Sequence, residues 1–440
     1  MADCTRFLKY ARMMRVLYII CDQHSEVLCA LQRCAVDKPL FPNLEWLQLE
    51  SPTREFIPFL PFFLSPRTTS FDVSFESSHL PSATIASMIT AFPALCPNLR
   101  EMSVKSLPRD PIIAAAVSRI SLANNWNNLQ RLIADYQLPE EALEMIFKLP
   151  NLRELFFVVE RGVSLPPVVL PNLVDLTVGY YDGHDWLEGL RGATLGKLTS
   201  VTFISRAESI GNFLEAFESV ALTTLIPTTL STFRFSAPNW WEPNYYSLLP
   251  FTQLKELAIY SPCQYGCSSV VSDAIITDLA RAMPRLEILQ LGHPCRTPVD
   301  GITATGFATL AHYCPRLSTL RIHFEVDDLV DLPVIPGVTP GGGPAIPCTL
   351  TELDVGRIPL PEELVLGVTL ALLRIFPRIQ SIKYRDEGWR KVDDMIFRSR
   401  LLADRKSKKP LVALSRSTFD DALPGTALGR TTRSRSAKPL

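Results

Sequence analysis

Pro284-Arg-Leu286-Glu-Ile-Leu289-Gln-Leu291 and, thirty-one residues on, Pro315-Arg-Leu317-Ser-Thr-Leu320-Arg-Ile322 carry one eight-residue unit, Pro-x-Leu-x-x-Leu-x-Leu. Its last two apolar residues stand two apart, so both point to one side of a short strand, and the first tucks in from the turn before it. A proline ahead of the strand stops a preceding helix and, as a strand's first residue, loses no ladder donor. Between the two copies, Ile302 to Cys314 spaces its apolar residues three and four apart, as does Val271 to Met283 before them, which predicts helices.

The same unit starts again at Pro42, Pro97, Pro150 and Pro171, and at Pro377 with Ile379 in first place. Without the proline it recurs from Leu129, Leu198, Leu230, Leu254 and Leu350, and weaker copies begin at Met14 and Thr68. Fourteen copies spaced 21 to 33 residues apart define a repeat protein. Strands stacked in parallel bury one apolar ridge, each unit touching only its neighbours. The expected fold is α/β, a leucine-rich-repeat solenoid: a horseshoe with strands on the concave face and helices on the convex face.

The stretch 271–322 resembles the cysteine-containing leucine-rich repeats of F-box proteins, and residues 5–400 resemble the repeat portion of fungal, basidiomycete-type F-box-like proteins. The resemblance implies a ribonuclease-inhibitor-like horseshoe and the substrate-recognition part of a ubiquitin-ligase adaptor, with a protein substrate on the concave face. The alternative is a general interaction scaffold unconnected with ubiquitin. One departure concerns the Asn or Cys that the family places after each strand: Pro52, Pro262 and Pro294 stand there, so loops on that edge should be irregular. The F-box itself is expected to precede the repeats and is not seen in this chain, so a Skp adaptor is a partner only if an F-box lies upstream. Leu138-Pro-Glu-Glu and Leu360-Pro-Glu-Glu resemble an F-box opening. Proline followed by Glu suits the first turn of any helix, and the first match runs straight into the strand after Leu152.

Composition is consistent with this. Of 440 residues 47% are hydrophobic and 20% charged, with a net charge of −1, which gives no basic signal for nucleic acid. Thirty-six prolines exceed the usual share of about 5% and punctuate the chain. Ten scattered cysteines make no disulfide framework, and no apolar run reaches the ~18 residues of a membrane span, so cytoplasm or nucleus is expected. Four basic residues from Arg6 to Arg15 suit a presequence less well than a first repeat, because Asp3 is acidic and serine is missing there.

No catalytic, cofactor or metal site emerges. Gly192 to Lys197 is a residue short of a phosphate loop, and Leu198 stands where a hydroxyl is needed. Cys263, Cys267, His293 and Cys295 match no zinc-ligand spacing. Cys96 and Cys314 each precede proline at a helix end, where cysteine is a small apolar plug. Asp327-Asp328 and Asp393-Asp394 read as solvated pairs.

Four segments follow: a capping helix in 1–13, the solenoid over 14–386 with an insertion at 332–347, a capping helix over 387–406 built on Trp389, Val392, Met395, Ile396 and Leu402, and a basic tail over 407–440. Arg405-Lys-Ser-Lys-Lys409 is either a nuclear-import patch or a solvated run. Residues alternating with the buried pair face the concave surface, where Trp46, Phe156 and Tyr260 are aromatic and Arg234, Arg321 and His323 lie nearby. Trp240, Trp241, Tyr245 and Tyr246 follow the strand at Phe235 and either join the partner site or pack on the adjacent repeat. The tail's composition should leave 407–440 disordered, so limited proteolysis should clip there first; full protection of the tail would contradict that reading.

Overall fold

The computed structural model describes residues 4–21, 31, 39–76, 80–107, 110, 112–113, 115–117, 126–159, 165, 169–181, 185–191, 193, 195–206, 213–223, 228–237, 244–260, 271–292, 301–330 and 348–406. The insertion 332–347, the tail 407–440, Trp240, Trp241 and the four Cys and His residues of the zinc question lie outside them. The chain divides into two compact units, Met1–Ile396 and Phe397–Leu440. The solenoid is the first.

Among the described residues fourteen strands form one parallel sheet whose order follows the chain. They are β1 (Val16–Ile20), β2 (Trp46–Glu50), β3 (Ser70–Ser74), β4 (Glu101–Lys105), β5 (Arg131–Leu138), β6 (Glu154–Val159) and β7 (Asp175–Tyr180). The second half comprises β8 (Ser200–Ser205), β9 (Thr232–Ser236), β10 (Glu256–Tyr260), β11 (Ile288–Leu291), β12 (Thr319–Ile322), β13 (Glu352–Gly356) and β14 (Ser381–Tyr384). Each strand begins two residues after the first apolar position of its copy, the weak copies at Met14 and Thr68 included. Leu47, Phe71, Met102 and Leu132 are register partners on successive strands and all are buried, a row that ends at Ile382.

The proline stands four residues ahead of the strand, not at its start. The amide of Leu44 donates to the carbonyl of Phe41 (3.1 Å), Leu99 to Cys96 (3.2 Å), Leu286 to Met283 (3.2 Å) and Leu317 to Cys314 (3.0 Å). Proline is thus the second residue of a β-turn, where its fixed φ is already correct. Cys96 and Cys314 open two of these turns from buried positions, and desolvation pushes each thiol up to about 12. Thr68 replaces the apolar first residue at no exposure, its hydroxyl donating to the Leu44 carbonyl (3.2 Å).

The residue after the proline ties repeats together. The side-chain amide of Asn98 donates to the Pro66 carbonyl (2.9 Å), Asn151 to Asn127 (2.7 Å) and Asn172 to Pro150 (2.8 Å). Where that position is long and basic it reaches the preceding repeat's side chain instead: Lys197 to Asn172 (2.7 Å) and Arg285 to Gln253 (2.6 Å). One step further, a single carbonyl accepts two amides of the next repeat, as Lys255 does from Glu287 (2.7 Å) and Ile288 (2.9 Å).

The predicted helices form as Asp273–Ala282 and Ala304–Tyr313, shortened because Ser272 and Thr303 are their N-caps. Asp273 also accepts from the Thr303 amide (2.9 Å) and hydroxyl (2.5 Å), docking one helix start on the next. Gly306 permits this approach, since a Cβ there would lie 2.4 Å from the Asp273 carboxylate. Leu138-Pro-Glu-Glu ends β5 and starts a helix of seven residues, Glu140–Ile146, while Leu360-Pro-Glu-Glu leads into Val365–Ile375. At the strand ends Gly292 (φ 70°) and Gly356 (φ 52°) supply left-handed turns, and Ser51 and Ser106 adopt the same conformation.

Both caps are helical, Cys4–Ala11 and Glu387–Lys406. Trp389, Val392 and Ile396 are fully buried, and the Trp389 indole N–H donates to the Ile358 carbonyl (2.9 Å). Two expectations need correction here. Leu402 is exposed, and Asp393 is no solvated carboxylate: it accepts the backbone amide of Ile382 in β14 (2.9 Å). No described helix is long and apolar enough to cross a membrane.

Asn172→Ala should lower stability by about 1 kcal/mol, the net value of one hydrogen bond, and Leu198→Ala by about 2–5 kcal/mol through a core cavity. Urea midpoints compared with the parent chain measure both; equal effects would refute the assigned roles.

Candidate functional site

Strand residues that alternate with the buried pair point to the face of the sheet opposite the core, and register aligns them in rows. One row reads Val16, Trp46, Ser70, Glu101, Arg131, Glu154 and Asp175 across β1 to β7. The next reads Tyr18, Gln48, Asp72, Ser103, Ile133, Phe156 and Thr177, and continues through Thr202, Arg234, Ala258, Gln290, Arg321, Asp354 and Lys383. This open face is the surface that every repeat contributes to.

Ion pairs between strands lace it. Arg131 pairs with Glu154 (2.9 Å), Lys105 with Asp72 (2.9 Å) and Lys383 with Glu352 (2.8 Å). Arg234 grips Glu256 in a two-bond fork, Nε to Oε1 and Nη2 to Oε2 (2.7 and 2.8 Å), which raises its pKa. Tyr260 donates to Gln290 and lies under the Arg321 guanidinium (5.9 Å to the ring centre), which also pairs with Asp354 (3.5 Å). Burial, foremost, and the Glu256 charge raise the Tyr260 pKa. Arg206, just past β8, reaches Asp135 of β5 (2.8 Å) and the Tyr181 hydroxyl (2.8 Å).

The structure therefore brings Arg234, Tyr260 and Arg321 into one polar cluster over β9 to β13, with half-buried His323 directly after β12. Phe156 stands half-buried on β6. Trp46 belongs elsewhere, seven strand steps from Arg234, roughly 34 Å at about 4.8 Å per step. It is 39% exposed beside Val16 and Tyr18, also exposed, and borders a recess of about 500 Å³ lined by Asp72, Glu101, Ser103, Lys105, Arg131 and Ile133.

Tyr245 leaves the candidate set. It is 2% exposed in the core, and the short helix Tyr245–Leu248 lies on the helix side of the sheet. Asn244, its N-cap, donates to Glu215 of the helix Phe213–Thr223 (2.8 Å). Tyr246 is exposed, but in that same short helix and away from the row that holds Arg234.

Sequence reasoning passed over Val16, Tyr18, Glu101 and Ser103, although the alternation rule that selected Trp46 applies equally to them. Arg206 and Tyr181 lie beyond the strands and carry no such signal. No protein-family model matches the sequence, and no match is found among curated proteins.

Arg234→Ala should cost less than about 1 kcal/mol, as exposed ion pairs do, whereas Tyr245→Ala should cost about 3–5 kcal/mol like other buried aromatic truncations. Thermal melts of the two variants compare them; the reverse ranking would refute the assignment of faces.

Proposed function

We propose that the protein is a non-catalytic binding scaffold whose open sheet face takes a protein partner. The observation that carries this is the placement of Val16 and Trp46, solvent-exposed register partners on adjacent strands, in the wall of the Trp46 recess, with Tyr18 exposed in the next row of β1. Aromatic residues grouped at a concavity are the type that anchors protein interfaces. Elsewhere on the face charged groups are held in fixed orientations by their neighbours, which suits discrimination among partners more than tight binding by itself.

The finer reading is the substrate-receptor half of an F-box ubiquitin-ligase adaptor, and its support is the resemblance of residues 271–322 to the repeats of such proteins. Both Leu-Pro-Glu-Glu segments belong to repeats, so coupling to a ligase requires a docking module other than these. The general scaffold without a ubiquitin link is the alternative.

A photoreactive phenylalanine analogue placed at Gln48, Ile133 or Thr202 in cells should crosslink a partner, while one at Leu366 on the exposed side of the helix Val365–Ile375 should not. Adducts from Leu366 alone would remove the open face from consideration. Recovery of a Skp adaptor with the full-length protein separates the ligase reading from the alternative.

A further inference from the structure

The recess beside Trp46 has a floor made by small residues. Trp46, Ser70 and Glu101 are register partners on β2, β3 and β4, so Trp46 and Glu101 flank Ser70 at about 10 Å, two strand spacings apart. In the neighbouring row Ser103 sits between Asp72 and Ile133. Ser103 is only 9% exposed, and its hydroxyl has no hydrogen-bond partner among the described residues. A buried hydroxyl without a partner costs free energy that a ligand group restores.

The charges around this slot are unequally engaged. Both cations that line it are paired, Lys105 with Asp72 (2.9 Å) and Arg131 with Glu154 (2.9 Å), and Glu45 is paired with Arg15. Glu101 has Arg131 as its register partner, yet that guanidinium turns to Glu154 on the far side. Among the described residues Glu101 accepts only from the Ser70 hydroxyl (3.2 Å). The slot thus offers one carboxylate without an ion pair, one exposed indole and one buried hydroxyl.

We propose that this recess takes an arginine side chain of a partner peptide, an assignment that rests on the open face being a protein-binding surface. The guanidinium lies over Ser70, stacked on Trp46 and forked onto the Glu101 carboxylate. The Ser103 hydroxyl bonds the peptide main chain beside that arginine. Arginine fits better than lysine because a planar fork serves the carboxylate and the indole face together. An acidic or phosphorylated peptide would meet Glu101, Asp72 and Glu45 with both nearby cations already engaged.

The test is selection of a displayed random dodecapeptide library on the immobilised full chain, followed by fluorescence-polarisation titration of the selected peptides. Arginine should be enriched over lysine, and replacing it with Gln should weaken binding. Trp46→Ala and Glu101→Gln should each lower affinity at least about tenfold, and Ser103→Ala about fivefold. Trp46 and Glu101 are exposed, and Glu101→Gln keeps shape, so its melting temperature should stay within a few degrees of the parent. Arginine-poor peptides that lose binding on Tyr260→Ala but not on Glu101→Gln overturn this assignment and leave the scaffold reading standing. Selection of acidic peptides that depend on Lys105 overturns it as well. No selected peptide, or binding indifferent to every open-face substitution, overturns the slot and the scaffold reading together.

Discussion

A single carbonyl that accepts two amides from the following repeat sets the register of the whole sheet. Arg15 receives Glu45 and Trp46 (2.8 and 2.9 Å), Glu45 receives Thr69 and Ser70 (2.9 and 3.0 Å), and the relay continues until Thr351 receives Gln380 and Ser381 (2.8 and 3.1 Å). Because the contact sits just before each strand, loops of different length between strands do not disturb it. Repeats of 21 and of 33 residues therefore enter the sheet in the same phase. Fixed phase is what turns a scattered set of side chains into rows, buried on one face and presented on the other.

Those rows explain what the sequence made legible. All fourteen strand starts could be located because Leu-x-x-Leu-x-Leu repeats in one phase, and phase alone rescues Met14 and Thr68, whose residue types are atypical. The asparagine after the proline was visible but mute, since its partner is a carbonyl of the repeat before it. Tyr245 takes the packing alternative, which the sequence left open because aromatic content in a loop says nothing about which side of the sheet the loop packs on. Asp393 was misjudged for a related reason: its partner, the Ile382 amide, is eleven residues away and on a different element. Ser103 is the hardest case. A recess is a lack of bulk relative to Trp46 and Arg131, and those residues become its walls only once four strands, β2 to β5, are aligned.

The ion pairs of the open face add little to folding stability, because exposed pairs in water are worth at most about 1 kcal/mol. Their effect is on presentation. Arg234 held by Glu256, and Arg321 held between Tyr260 and Asp354, lose side-chain freedom before any partner arrives. Less entropy then remains to be lost on association. Neutralised pairs also keep the face from attracting polyions indiscriminately, in line with a chain whose net charge is −1.

The Asp393 carboxylate that takes the Ile382 amide has a bearing on how copies of this chain meet one another. A stack of parallel strands is a polymer by design: its last strand offers to a second molecule the same donors and acceptors that the previous strand offered to it. Head-to-tail growth needs one compatible surface at each end, so occupying one end is enough to terminate it. Asp393 consumes one such donor on β14, the Ile382 amide, so the C-terminal end of the sheet carries a built-in obstacle to pairing with the β1 of another copy.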